Sequence, residues 1–165
     1  REILAWTMAT DTAYTFKNLP WRPRLGFKAD IASGDNRGPD GRFGAFNPLY
    51  FKSGYFNDAS IIRPTNVADL HPSLQFLPTR TLTATLAADA LWRYSVKDGV
   101  YGPPGNIELR PTAGASRYIG NTAEWKAGRH LVWTNSYVHL FASDAVRAAH
   151  GHSVDYFGSW ITFTW

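Results

Sequence analysis

The sequence predicts an all-β chain: an antiparallel transmembrane β-barrel of the outer-membrane type, with about seven or eight strands in these residues. Three observations predict it. Apolar and polar residues alternate with a period close to two, as in extended strands with one apolar face. Short and long connections alternate along the chain. Aromatic residues, which make up 15% of the 165 residues, gather near the ends of the predicted strands.

The alternation places about seven strands. It is visible in "RLGFKADIAS", in "DLHPSLQFL" and in "TLTATLAADALWRYS", where Leu82, Leu86 and Trp92 share one face and Asp89 and Arg93 share the other. In each segment one face is apolar and the other polar. The predicted strands lie near Glu2–Thr15, Trp21–Ser33, Thr65–Leu77, Thr81–Lys97, Ser116–Ala127, Leu131–Phe141 and Val154–Trp165.

The connections between these strands fall into two classes. "FKNLP", "PTR" and "AGRH" are tight, whereas "GDNRGPDGRFGAFNPLYFKSGYFNDASIIRP", "DGVYGPPGNIELRPTAGA" and "ASDAVRAAHGH" are long. Outer-membrane barrels have short turns on the periplasmic side and long loops on the extracellular side. A soluble sandwich has no reason to sort its connections in this way, so the pattern favours a membrane barrel.

Aromatic residues mark both ends of the predicted sheet. Phe16 and Trp21 lie at the short-turn end, and Trp92, Tyr94 and Tyr101 lie near the long-loop end. Aromatic girdles at both interfaces are typical of membrane barrels. Taken singly, these residues fit the core of a sandwich better than a girdle; taken together with the sorting of the connections, they favour the barrel.

The chain ends in "DYFGSWITFTW", where Ile161, Phe163 and Trp165 alternate with threonines. This ending fits the terminal signal of bacterial outer-membrane barrels. The barrel-assembly machinery, which would act through this C-terminal strand, is therefore an expected partner. The last strand of a barrel pairs with the first and removes both edges. Seven is an odd count, whereas bacterial barrels usually have an even one. We therefore expect either the C-terminal portion of a larger barrel or a further strand inside a long loop.

The composition excludes several functional classes. The net charge is +4, but no block of Lys or Arg appears, so nucleic acid is not an expected partner. No Cys is present, which excludes disulfides and thiol chemistry. No apolar run approaches the roughly 18 residues that a membrane-spanning helix needs.

Several stretches resemble a known family. In order along the chain, "AWTMATDTAYTF", "LPWRPRLGFKADIASGD", "FNPLY", "DLHPSLQFLPT", "LWRYSVKDGVYGPPGN", "RYIG" and "RHLVWTNSYVHLFA" are similar to the C-terminal part of the alginate export family. The resemblance implies a monomeric barrel in the outer membrane of a Gram-negative bacterium. It also implies export of alginate, an anionic uronic-acid polysaccharide, through a lumen lined with basic residues. Residues 1–165 would then form a single β-barrel domain, roughly the C-terminal third of a longer protein.

The polar face supplies the candidate binding residues. An anionic polysaccharide carries carboxylates, which Arg and Lys side chains bind, and rings of basic side chains select anions in pores. Arg24, Lys28 and Arg93 are the leading candidates for the lumen. The carboxylates of Asp30, Asp69 and Asp89 on the same face would pair with these cations and hold them in position, and His71 is a further candidate of this lumen face. The candidates for a pore mouth, at the loop ends, are Arg63, Arg110 and Arg117.

Other site chemistry is not expected. His150 and His152 lie close together, but no His spacing matches a metal motif and no nucleophile elbow appears. The loop "SGDNRGPDGRFG" lacks the spacing and the closing Glu of a calcium-binding EF-hand loop. We therefore predict neither an enzyme, nor a cofactor, nor a metal site. The aromatic stretch "FNPLYFKSGYF" is expected either to fold inward and narrow the pore or to pack on the rim.

Two alternatives stay open. The chain could be a soluble β-barrel or sandwich that binds a ligand inside, or a barrel that the aromatic stretch plugs, so that it does not conduct. The orientation of the apolar face discriminates between membrane and soluble proteins. Leu82, Leu86 and Trp92 point outward in a membrane barrel and inward in a soluble one.

Overall fold

The computed structural model describes residues 2–36, 42–50, 52, 54–103, 105–111, 118–129 and 133–162. Within them, no helix is long and apolar enough to cross a membrane. The described elements, in chain order, are β1 (Glu2–Ile3), β2 (Thr7–Thr15), β3 (Arg24–Ala32), β4 (Arg42–Phe43), β5 (Val67–Thr79), β6 (Leu82–Arg93), β7 (Val100–Tyr101), β8 (Ile107–Leu109), β9 (Tyr118–Arg129), β10 (Trp133–Ala142), α1 (Asp144–Ala148) and β11 (Val154–Ile161).

Seven of these strands form one sheet in the order β11-β10-β9-β6-β5-β3-β2. Every neighbouring pair is antiparallel, and each long strand pairs with the next long strand along the chain. Each corresponds to one of the predicted segments, because strict alternation over eight or more residues fits only an extended, two-faced strand. The prediction of an antiparallel all-β chain is confirmed.

The first predicted strand is wrong at its N-terminal end. It was expected to run without a break over Glu2–Thr15, but the backbone leaves the sheet before Thr7, and β1 pairs in parallel with β4. Two hydrogen bonds between Ser33 and Trp6 explain why the strand breaks here. Ser33 donates its N–H to the Trp6 carbonyl, and its Oγ accepts from the Trp6 N–H, each at 2.9 Å. Residues before Trp6 therefore pair with the loop after β3 and not with β3 itself.

The last predicted strand extends to Trp165, whereas β11 ends at Ile161. Phe163 and Trp165 lie outside the described residues, and the closing alternation of the chain is therefore not tested by the structure.

Within the described residues, short and long connections alternate as the sequence predicts. The predicted turn "AGRH" is wrong in its bounds, because residues 127–129 belong to β9, and the connection that follows, residues 130–132, lies outside the described residues. Residues 16–23 join β2 to β3 and residues 80–81 join β5 to β6, both at one end of the sheet. The opposite end carries the long connections 33–66, 94–117 and 143–153, which hold β4, β7 with β8, and α1 respectively. The long connections thus meet at a single end, where they can pack on one another.

The hydrophobic core lies under these long connections. Phe56 and Ile62, from connection 33–66, pack against residues of the sheet and of the β7–β8 hairpin. The buried cluster consists of Ala32, Phe56, Ile62, Val67, Leu91, Val100 and Leu109. Val67 and Leu91 belong to the same side of the sheet as Asp69 and Asp89, since residues two apart on a strand share a face. The core therefore covers the long-loop end of the polar face.

The opposite face of the sheet is apolar and open. Leu25 and Phe27 on β3 are 52% and 45% exposed, and Leu70 and Leu86 on the next two strands are 42% and 45% exposed. Along each strand they alternate with the residues of the polar face, as the sequence pattern predicts. Among the described residues, no segment of the chain buries these side chains.

Aromatic pairs lie at both ends of the sheet. At the long-loop end, the rings of Trp6 and Tyr94 meet edge to face with centroids 5.6 Å apart. At the short-turn end, the rings of Trp21 and Phe76 lie 6.4 Å apart. The predicted positions of Trp21 and Tyr94 are therefore found at the expected ends of the sheet.

Candidate functional site

A row of ionisable residues crosses the polar face of the sheet. The register places Asp11 beside Lys28 and Lys28 beside His71. Directly opposed residues of antiparallel strands point to the same face, so their side chains are neighbours. Lys28 Nζ lies 3.9 Å from Asp11 Oδ2, and both side chains are substantially exposed.

A second polar row lies nearer the short turns. Arg24 on β3 is opposite Gln75, and Gln75 is opposite Thr85. Gln75 Nε2 donates to Thr85 Oγ1 at 3.4 Å. Both rows line one open groove of about 210 Å³, which Arg24 and Lys28 share. The two cations predicted for the lumen on β3 therefore lie on the same face, with Gly26 between them, and both are accessible.

Three further predicted residues form a buried cluster. Asp69, His71 and Asp89 are exposed by only 2%, 8% and 2%. His71 Nδ1 contacts Asp89 Oδ1. Neither carboxylate oxygen of Asp69 has a hydrogen-bond partner in the part of the chain that the structure describes. One nitrogen or oxygen atom from each of the three residues lies within 4.8 Å of the others.

Connection 33–66 covers this cluster. Asn57 Nδ2 donates to Asp89 Oδ2 at 3.1 Å, and the Asn57 Oδ1 accepts from the Ala59 N–H at 3.2 Å. The Tyr55 hydroxyl donates to Asp30 Oδ1 at 3.0 Å. Burial, aided by this bond to a carboxylate, raises the pKa of Tyr55 to about 12. The end of the aromatic stretch thus lies over the polar face, as expected if it folds inward.

Two predicted arginines are interior. Arg93 is 1% exposed, at the end of β6 beneath the long connections. Arg63 is 7% exposed, and its Nη2 donates to Asn47 Oδ1 at 2.8 Å and to the Pro48 carbonyl at 3.2 Å. Arg63 also lines a cleft of about 590 Å³ at the long-loop end. Arg63 therefore joins two parts of connection 33–66, and the Arg93 side chain is withdrawn from solvent.

Two candidates for the pore mouth remain, Arg110 and Arg117. Arg110 is exposed just after β8, at the long-loop end of the sheet. Arg117 lies outside the described residues, so its position is not tested.

Sequence reasoning missed Asn66, which ties the long connections together. Asn66 is completely buried and has a positive φ of 53°. Its Nδ2 donates to the carbonyls of Ser95 and Gly99 at 2.9 and 2.8 Å, and its Oδ1 accepts from the Ser95 N–H at 2.7 Å. The signal in the sequence was an Asn just before an apolar strand start, since Asn tolerates positive φ better than most residues.

Asp98 forms a second polar tie at the same end. It accepts from the Tyr101 hydroxyl at 2.6 Å and from the Asp35 N–H at 2.8 Å. Burial and the bond to Asp98 raise the pKa of the Tyr101 phenol. Asp98 therefore joins Tyr101 of the β7–β8 hairpin, a residue predicted for an aromatic girdle, to the loop after β3.

Comparison with known proteins agrees with the resemblance seen in the sequence. No curated protein and no solved structure matches the chain. The alginate export family model matches residues 1–159. Members of this family are outer-membrane transport proteins and not enzymes. Since the match covers almost all of the 165 residues, the chain belongs to the alginate export family.

Proposed function

We propose that this chain forms part of an outer-membrane β-barrel through which an anionic polysaccharide such as alginate leaves the cell. The polar face of the sheet faces the lumen, and the apolar face contacts lipid. Closure of the barrel joins the two free edges of the sheet, β2 and β11, either to each other or to further strands.

The observation that carries the proposal is the contrast between the two faces. Leu25, Phe27 and Leu86 are open, whereas the polar face holds the covering connection and the buried ionisable cluster. A soluble barrel or sandwich buries its apolar face, because apolar surface in water is unfavourable by about 25 cal/mol per Å². Lipid supplies that burial in a membrane barrel, and strands there alternate apolar-out and polar-in.

Arg24 and Lys28 give the lumen its preference for anions. Both line one groove on the polar face of β3, with Gly26 between them. A uronate chain carries one carboxylate per sugar, and a guanidinium can bind a carboxylate through two hydrogen bonds. Asp11, 3.9 Å from Lys28, moderates this attraction. A weaker attraction suits transport, because a polymer that binds the lumen too tightly is not released from it.

A plugged barrel is the second candidate function. The bonds of Tyr55 to Asp30 and of Asn57 to Asp89 hold connection 33–66 on the polar face. Such an inward fold narrows the lumen at the long-loop end. In a wide barrel it leaves a passage, whereas in a narrow one it stops conduction.

Planar-bilayer conductance of the intact protein tests the proposal. We expect wild-type channels to prefer anions, and the double variant Arg24→Glu/Lys28→Glu to lose or reverse this preference, because two positive charges in the groove become negative. Reversal potentials in a salt gradient measure the selectivity.

The double variant Lys17→Glu/Arg80→Glu is the matched control, since it changes the net charge equally at two exposed residues of the short connections. We expect it to keep most of the anion preference. Equal selectivity of wild type and Arg24→Glu/Lys28→Glu would contradict the role of these residues. Correctly inserted protein without any channel activity would favour the plugged barrel.

A further inference from the structure

We propose that Asp69, His71 and Asp89 bind one divalent metal ion of the zinc class, on the polar face beneath connection 33–66. Sequence spacing alone predicted no metal site, because two of the ligands come from β5 and the third from β6. Only the register of the sheet brings them together.

The geometry suits a small metal site. Asp69 and His71 are two residues apart on β5 and therefore share a face. The pairing of Leu70 with Ala90 and of Asp69 with Leu91 places Asp89 across from His71. Ligand atoms of all three residues lie within 4.8 Å of one another. Zinc holds His nitrogen and carboxylate oxygen at about 2.0–2.2 Å, so small side-chain rotations bring all three into its coordination sphere.

The unpartnered carboxylate of Asp69 is a second, independent indication. Both of its oxygens are buried and without a hydrogen-bond partner among the described residues. A buried carboxylate without a partner is strongly unfavourable, and a second carboxylate beside it adds repulsion. The direct contact of His71 goes to Asp89 and not to Asp69. A divalent cation between the three groups compensates both carboxylates at once.

The ligand set indicates the class of metal. Ca²⁺ takes 6–8 oxygen ligands, and Mg²⁺ keeps most of its water. One imidazole with two carboxylates suits Zn²⁺ or a similar borderline cation. Neutral His71 would then direct the lone pair of Nδ1 at the metal. Three protein ligands leave a coordination position for water.

The surroundings orient the ligands. Asn57 holds Asp89 through Oδ2, so that Oδ1 stays directed at His71. Second-shell hydrogen bonds of this kind fix ligand orientation in metal sites. Lys28, which neighbours His71 in the register, is directed instead to Asp11 and to solvent. Because Asn57 belongs to the covering connection, a metal at this site would fasten that connection to the sheet.

Calorimetric titration of the intact protein with ZnCl₂ tests the proposal. The protein is purified in detergent with a tag that lacks His and is stripped with a chelator. We expect one tight Zn²⁺ site, with Ca²⁺ and Mg²⁺ binding far more weakly. Asp69→Asn and His71→Gln should each weaken Zn²⁺ binding by more than the roughly 10–100-fold that loss of an outer-shell partner causes.

His139→Gln is the matched control. His139 Nδ1 lies 2.7 Å from Asp155 Oδ1, in a second His–Asp pair that is more exposed than the proposed site. We expect this variant to keep the tight site. Equal affinity of wild type and His71→Gln, or loss of the site only in His139→Gln, would overturn the proposal.

X-ray absorption on the zinc-loaded wild type keeps the proposal testable if the variants fail to fold. We expect a first shell at about 2.0–2.1 Å with scattering from a single imidazole. A shell of two or more imidazoles, or no retained zinc, would overturn it, and the cluster would then be an ion pair of His71 with Asp89.

Discussion

Replacement of Asn66 by Ala is expected to destabilise the protein by about 3–5 kcal/mol. The side chain makes three hydrogen bonds, to the Ser95 N–H and to the carbonyls of Ser95 and Gly99, all in a buried region. Three buried groups lose their partner, each at a cost of roughly 1 kcal/mol at the lower end of the usual range. Ala at the positive φ of this position adds about 1 kcal/mol. Unfolding by guanidinium, followed by tryptophan fluorescence, measures the difference.

Two controls separate the roles of Asn66. Asn66→Gly removes the same three hydrogen bonds but tolerates the positive φ, and we expect it to recover about 1 kcal/mol relative to Asn66→Ala. Asn18→Ala, at an exposed turn, should change stability by less than about 0.5 kcal/mol. If Asn66→Ala matches Asn18→Ala, the long connections are not held by this residue.

Replacement of Leu86 by Arg is expected to cost about 2–4 kcal/mol in lipid. Charged substitutions on the lipid face of a barrel strand have this effect near the bilayer midplane. Leu86 lies inside β6, pairs with Leu74, and is 45% exposed on the apolar face. Refolding into lipid vesicles at graded urea concentrations measures the change in folding free energy.

The adjacent residue supplies the control for Leu86. Thr85 lies on the polar face and accepts a hydrogen bond from Gln75. We expect Thr85→Arg to cost under about 1 kcal/mol, because the side chain enters a solvated groove. If Thr85→Arg is as damaging as Leu86→Arg, or more so, the assignment of the faces is wrong.

The strands were predictable from the sequence because the signal is local. Alternation in "RLGFKADIAS" or "TLTATLAADALWRYS" reports one polar and one apolar face, whatever the rest of the chain does. The register was not predictable, since it depends on which strand lies beside which. Hence Arg24 and Lys28 were assigned correctly to one face, while the meeting of His71 with Asp89 needed the structure.

The long connections explain what the sequence could not predict. Arg93 belongs to the polar face because it lies an even number of residues from Asp89 on the same strand. Its burial, however, follows from the fold of the connections above it. The same connections bury Arg63 and place Asn57 and Tyr55 on the sheet. Gly34 illustrates the non-local constraint, because a Cβ there would collide with the Asn66 side chain, 32 positions further along the chain. No periodic pattern encodes such contacts.

The most direct test of the membrane-spanning claim compares two adjacent residues of β3. The chain contains no Cys, so Phe27→Cys and Lys28→Cys each introduce a single site for a fluorescent label. In vesicles, we predict that nitroxide lipids quench the label at residue 27 and that iodide in the buffer does not, with the reverse at residue 28. Equal quenching by iodide at both residues, with no effect of nitroxide lipids, would contradict a barrel wall that separates lipid from lumen.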